Sequence, residues 1–206
     1  MTLRAILTTT FTAALSFGAL SIPSHAATQT LIVAGGCFWC VESDYEKVDG
    51  VSDVVSGYIG GTVENPTYKQ VSGKKTGHYE AVKITFDDQK VQLRTLLDYF
   101  WKTIDPTDAS GQFCDKGSPY KTGVFYQNEA QKQVAEASLA AVTANKPFAA
   151  PIVTELLPAK TFYLAEGYHQ DYYKKNPIRY SYYRSSCGRD NRIEQLWGEV
   201  ASKKHH

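Results

Sequence analysis

Cys37 and Cys40 enclose two large aromatic residues in the run Gly35-Gly36-Cys37-Phe38-Trp39-Cys40. The apolar segment Leu31-Ile32-Val33-Ala34 before it reads as a strand, and Val41 to Lys47 after it reads as a helix. Cys37 is therefore predicted at a strand-to-helix turn, near the positive end of a helix dipole. That position lowers a thiol's pKa and supplies a nucleophilic thiolate at neutral pH. Phe38 and Trp39 add an apolar surface beside the nucleophile. The chemistry expected is that of sulfur acting on a small, partly apolar substrate.

Two further cysteines, Cys114 and Cys187, stand alone in the sequence. An even count invites two structural disulfides. A bond between Cys37 and Cys40 would close almost no loop and add little stability. Cysteine pairs this close are more often redox-active or metal-binding. Neither Cys114 nor Cys187 has a neighbouring Cys or His at zinc-like spacing. The expectation is a redox pair with no metal and no organic cofactor.

The elements that must position these residues lie in a chain of 206 residues, 43% hydrophobic and 21% charged, which suits one globular domain. A net charge of +1 implies no broad attraction to nucleic acid or anionic membrane. Residues 1–26 differ from the rest. One arginine, Arg4, precedes an uncharged, small and apolar stretch from Ala5 to Ile22, and Ser24-His25-Ala26 resembles a cleavage site. This reads as a secretory signal peptide, leaving residues 27–206 as a single exported, periplasmic domain with no stable membrane association. Export would put the cysteines in an oxidising setting.

Strands are predicted at Val54–Ile59, His78–Phe86, Lys121–Tyr126 and Ile152–Leu157. Asn65 to Tyr68 starts a turn or short helix. Apolar residues at helical spacing mark an amphipathic helix over Val91–Ile104, and an alanine-rich helix follows at Glu129–Asn145. A long loop is expected at residues 106–119 and a Tyr-rich helix at Ala165–Lys175. The tail beyond Pro177 reads as polar, with a short helix at Ile193–Trp197. Strands and helices in this order predict an α+β fold. It would be a two-layer sandwich with a mixed sheet, a ferredoxin-like core and a long C-terminal tail.

Gly36-Cys37-Phe38-Trp39, Gly57-Tyr58, Asn65-Pro66-Thr67-Tyr68, Gly77-His78-Tyr79-Glu80-Ala81-Val82, Asp105-Pro106-Thr107 and Tyr120 before a strand come in a characteristic order. Together they resemble the peptide methionine sulfoxide reductase A family. The resemblance implies reduction of the S epimer of methionine sulfoxide in proteins or peptides by a monomer. Cys37 would be the nucleophile and Glu80 the acid, its pKa raised by burial. Tyr68 and Tyr120 would donate to the sulfoxide oxygen. Phe38 and Trp39 would cradle the methyl group, Asp115 would hold the substrate amide or a water, and His78 would support Glu80.

The attack leaves Cys37 as a sulfenic acid, which a second thiol closes to a disulfide. Cys187, in the small-residue segment Ser185-Ser186-Cys187-Gly188, is the first candidate, with Cys40 and Cys114 as alternatives. A thioredoxin-type reductant would then recharge the enzyme. Two rival readings stay open. Cys37 and Cys40 suit a thioredoxin-like dithiol oxidoreductase, although Phe-Trp between them would crowd a protein partner. A noncatalytic exported protein with two disulfides could use the tyrosines from Tyr163 to Tyr183 for binding.

Overall fold

The computed structural model describes residues 28–198; the proposed signal segment, residues 1–26, lies outside them. Leu31 to Ala34 is a continuous apolar run because its strand, β1 (Thr28–Gly35), is covered on both faces. β1 leads into helix α1 (Phe38–Tyr45), then strand β2 (Val51–Ile59), helix α2 (Tyr68–Ser72), strand β3 (Tyr79–Asp87) and helix α3 (Leu93–Trp101). Two short strands, β4 (Gly111–Gln112) and β5 (Asp115–Lys116), pair before β6 (Thr122–Tyr126). Helix α4 (Glu129–Asn145) and strands β7 (Glu155–Pro158) and β8 (Tyr163–Leu164) follow. The chain then forms helices α5 (Tyr172–Lys175), α6 (Pro177–Ser186) and α7 (Arg189–Trp197).

The sheet order is β7-β6-β1-β3-β2-β8. Its centre, β6-β1-β3-β2, is antiparallel throughout, which is the ferredoxin-like arrangement, and β7 pairs parallel with β6 after the α4 crossover. The sheet is thus mixed, as predicted. Strand alternation divides the core. Leu31, Val33, Val82, Ile84 and Phe86 face the helices, against Val41, Tyr45, Leu96, Phe100 and Trp101. Ile32, Ala34, Ala81 and Phe125 face the other way and are closed over by Phe162. Glu80 belongs to the even-numbered, helix-facing series of β3. Two-residue periodicity therefore aims a carboxyl into the core beneath α1.

Three local expectations change. The expected loop at 106–119 contains the β4–β5 hairpin and a 3-10 turn at Ser118–Tyr120. The expected helix over Ala165–Lys175 shrinks to α5, because Gln170 serves the sheet instead. Its side-chain oxygen accepts from the Ser56 N–H (2.8 Å) and its nitrogen donates to the Ser56 carbonyl (2.9 Å), so it substitutes for a strand at the edge of β2. The tail beyond Pro177 holds α6, with Pro177 at its first turn, as well as α7. Polar composition hid it, since only Tyr180 and Arg184 of α6 are buried.

The turn between β1 and α1 requires a glycine. Gly36 has φ +86°, and a Cβ there would stand 2.6 Å from Cβ of Gln112. Cβ is the root of that side chain and cannot swing aside. Gly36→Ala is expected to lose about 1–3 kcal/mol of stability through strain at positive φ and this clash, as a lower urea midpoint at unchanged m-value.

Candidate active site

Cys37 is the N-cap residue of α1 and offers no side-chain cap of its own. The cap comes from across the sheet: the Phe38 N–H donates to Oε2 of Glu80 (3.2 Å). One interaction thus closes an orphan helix donor and fixes the carboxyl beside the cysteine. Glu80 is 2% exposed. Burial pushes its pKa from 4.5 to about 8; Asp115 and Cys40 push the same way, while the Phe38 N–H and the Tyr120 hydroxyl oppose. The carboxyl therefore keeps its proton at neutral pH.

The helix start does not lower the Cys37 pKa as expected. Burial, then Cys40 and Glu80, push this thiol well up, and a hydrogen bond with Tyr183 only partly offsets them. Cys40 lies one turn along α1, its N–H donating to the Cys37 carbonyl (3.1 Å). The two free thiols are buried side by side. The Cys37 S–H bonds to the Cys40 sulfur, and that bond is the main reason the Cys40 pKa falls to about 7; Arg189 and Arg184 lower it further, against burial.

Tyr68 begins α2, whose start is set by a capping box. Thr67 accepts from the Gln70 N–H, while the Gln70 side chain accepts from the Thr67 N–H (2.8 Å). The Tyr68 and Tyr120 hydroxyls bond to each other, and both have raised pKa values, chiefly through burial. They remain protonated donors. Phe38 stacks near Tyr68 with ring centroids 6.5 Å apart. Trp39 stacks flat on Tyr172 at 3.7 Å and meets Tyr183 edge-on. Asp115 accepts from the Tyr183 hydroxyl. Its own pKa is raised by burial, against that bond and Arg189.

Two expected assignments are corrected. His78 holds a loop rather than Glu80: Nδ1 accepts from the Gly61 N–H (3.1 Å) and Nε2 donates to the Val63 carbonyl (2.7 Å). Neither ring nitrogen is left for the carboxyl. Cys187 is not a loose thiol. It caps the C-terminus of α6 and is bonded to Cys114, 73 residues away, with Cα atoms 4.9 Å apart. The disulfide pins α6 to the β4–β5 hairpin that carries Asp115.

The sequence model of the peptide methionine sulfoxide reductase family matches residues 29–201. Peptide methionine sulfoxide reductase MsrA of Bacillus subtilis is 51% identical over 165 residues, which is 80% of this chain and 93% of that protein. This chain belongs to the peptide methionine sulfoxide reductase A family. Peptide methionine sulfoxide reductase MsrA/MsrB of Vibrio cholerae is 51% identical over 170 residues, 82% of this chain. The match spans only 45% of that longer relative. Among solved structures, Mxr1 from Saccharomyces cerevisiae in reduced form matches with a TM-score of 0.69 at 32% identity, over 73% of this chain and 86% of that one.

In this member of the reductase A family, the C-terminal segment adds residues the sequence did not single out. Glu166 accepts from the Tyr58 hydroxyl and from the Tyr68 N–H, both at 2.8 Å, and so holds α2 over the thiols. Nδ1 of His169 accepts from Trp39 Nε1 (3.0 Å), fixing the rotamer of Trp39. Their only sequence signal was the concentration of tyrosines around them.

The Glu80 pKa has a consequence for stability. Between pH 4.5 and 8 the native carboxyl keeps a proton that the unfolded chain has released, so stability falls as pH rises through this window. Glu80→Gln removes this dependence. From pH 5 to pH 9 the variant should gain roughly 1–4 kcal/mol relative to wild type, read from urea unfolding at both pH values.

Proposed function

We propose that this protein reduces the S epimer of methionine sulfoxide in proteins and peptides to methionine, by attack of Cys37 on the sulfoxide sulfur. The observation that carries this reading is a buried carboxyl, its pKa raised by that burial, fixed by the Phe38 N–H at the foot of the helix that Cys37 caps. A sulfoxide sulfur is a poor electrophile until its oxygen gains a proton. Glu80 supplies that proton, and the hydroxyls of Tyr68 and Tyr120 stabilise the charge on the oxygen. Phe38 and Trp39 accept the methyl group, and Asp115 holds the substrate backbone.

The steps balance. As Cys37 attacks, its proton passes to Cys40. The Cys37 sulfur bonds to the sulfoxide sulfur; that S–S bond and the sulfoxide S–O bond then break as the oxygen passes to Cys37, and methionine leaves. The sulfoxide is reduced and Cys37 is oxidised to a sulfenic acid protonated by Glu80. Cys40 then attacks the Cys37 sulfur, and the hydroxyl leaves with a proton as water. Cys40 replaces Cys187 as the first resolving candidate, because Cys40 touches Cys37 while Cys187 is bonded to Cys114. A thioredoxin-type dithiol reduces the Cys37–Cys40 disulfide and becomes oxidised in turn. The protein acts as a monomer and is exported to the periplasm, cleaved after Ala26; the uncharged stretch from Ala5 to Ile22 followed by Ser24-His25-Ala26 supports the export.

Purified protein from Ala27 onward, given a dithiol reductant and separate S and R epimers of N-acetyl methionine sulfoxide, should release methionine from the S epimer alone. Turnover of the R epimer, or of neither by folded and reduced protein, contradicts the reading. Cys37→Ser should abolish turnover, and Glu80→Gln should lower kcat by about 10²–10⁴-fold. Cys40→Ser should release one methionine per enzyme and then stall with a thioredoxin-type reductant. Cys187→Ser should continue to turn over; if it is the variant that stalls, Cys187 is the resolving thiol.

A further inference from the structure

The Cys114–Cys187 bond joins the turn of the β4–β5 hairpin to the C-terminus of α6. The hairpin has two residues in each strand, too few to be stable alone. Gln112 pairs with Asp115, so Phe113 and Cys114 form its two-residue turn. Phe113 takes φ +53° there, a conformation that suits glycine and strains an aromatic residue. Strain of this kind persists only where surrounding contacts enforce it. Here the Arg189 guanidinium lies 4.7 Å from the centre of the Phe113 ring, and the disulfide grips the next residue. Helix α6 is also thinly anchored. It buries only Tyr180 and Arg184, and leaves Ile178 and Tyr182 exposed. The Cys187 N–H donates to the Tyr183 carbonyl (3.0 Å), which places Cys187 one helical turn beyond Tyr183. Cys114 directly precedes Asp115. The disulfide thus spans the same two elements as the bond from the Tyr183 hydroxyl to Asp115. Tyr183 carries this bridge to the pocket, its ring edge-on to Trp39 at 5.8 Å.

We propose that Cys114 and Cys187 are positioning residues for substrate binding: their bond holds Asp115 and Tyr183 together as the wall that receives the backbone amide beside the methionine sulfoxide. The proposal rests on the reductase reading, with Asp115 as the acceptor of that amide. This task is distinct from resolving Cys37. A bond that acted only on the unfolded chain would raise stability and leave substrate preference alone. A bond that fixes the wall separates substrates by their chemistry. The sulfoxide oxygen and methyl group are met by residues of α1, α2, β3 and the Ser118–Tyr120 turn, whereas the backbone amide is met by the hairpin. Opening the bond therefore weakens binding of an amide-bearing sulfoxide and spares a sulfoxide with no amide. Opening takes a dithiol: its two sulfurs join, giving up two hydrogens, as the Cys114–Cys187 bond becomes two thiols. Cys114 is exposed, so such a dithiol can reach it.

Single-turnover reduction, with no added reductant, compares the S epimer of N-acetyl methionine sulfoxide N-methylamide with dimethyl sulfoxide, which keeps the methyl group and the sulfoxide but has no amide. The reference is wild type with only Cys37 and Cys40 titrating as thiols. Two proteins lack the bond: the double variant Cys114→Ser/Cys187→Ser, and wild type reduced until all of its cysteines titrate. In both, the half-saturating concentration of the amide substrate should rise about tenfold, with the maximal rate nearly kept. The rate on dimethyl sulfoxide should stay near the reference value. Asp115→Ala should lose the same preference with the disulfide intact. Fully reduced wild type carries no mutation, so it decides the matter should the double variant fail to fold. Amide binding unmoved in fully reduced wild type overturns the proposal. So does an equal loss on both substrates, the mark of a merely structural bond. An unreactive reference protein overturns the reductase reading and the proposal with it. With an active reference, a preference unmoved in Asp115→Ala overturns the amide assignment. A preference lost in Asp115→Ala but kept without the bond overturns the role of the disulfide alone.

Discussion

The hydrogen bond from the Phe38 N–H to Glu80 is the interaction on which the site depends. It joins the start of α1 to the centre of the sheet, and thereby fixes a nucleophile and an acid relative to each other. The geometry has a simple origin. β3 pairs with both β1 and β2, so its register is locked on two sides, and two-residue alternation leaves Glu80 no face but the helix side. A carboxyl placed there is costly to ionise. Its proton is therefore a result of packing, and the acid at neutral pH follows from the same burial that makes the site dry.

The sheet supplies the acid and the C-terminal segment supplies most of what surrounds the thiols. Tyr172 and Tyr183 wall Trp39, and Glu166 anchors α2. The Cys114–Cys187 bond ties this segment to the hairpin that bears Asp115. The division is physically sensible. Rigid strands set the distance between the reacting groups, and a segment packed on afterwards shapes the pocket and its field.

The core of this fold was legible because its signals are local. Apolar runs and alternation mark β1, β3 and β6, and Leu96, Leu97, Phe100 and Trp101 at helical spacing mark α3. Gly36 ahead of Cys37 marks the turn. The C-terminal segment was not legible, since its residues are placed by tertiary partners. Gln170 acts as a strand edge, Tyr180 and Arg184 are buried in an otherwise polar helix, and Glu166 is functional only because α2 lies opposite it. His78 shows the converse: a residue in a recognisable block proved to hold a loop. The thiol pair shows a third limit. Sequence placed Cys37 at a helix start, but burial and the neighbouring Cys40 and Glu80 push its pKa up instead, and none of these is a local property.

The central claim is that Glu80 carries a proton at neutral pH in the folded, reduced protein. Infrared difference spectroscopy against Glu80→Gln over a pH series tests it without reference to turnover. A protonated carboxyl band that persists through pH 7 and fades around pH 8, and is missing in Glu80→Gln, is the result this account predicts. A carboxylate already ionised at pH 5 would contradict it, since the site would then hold no acid for the sulfoxide oxygen.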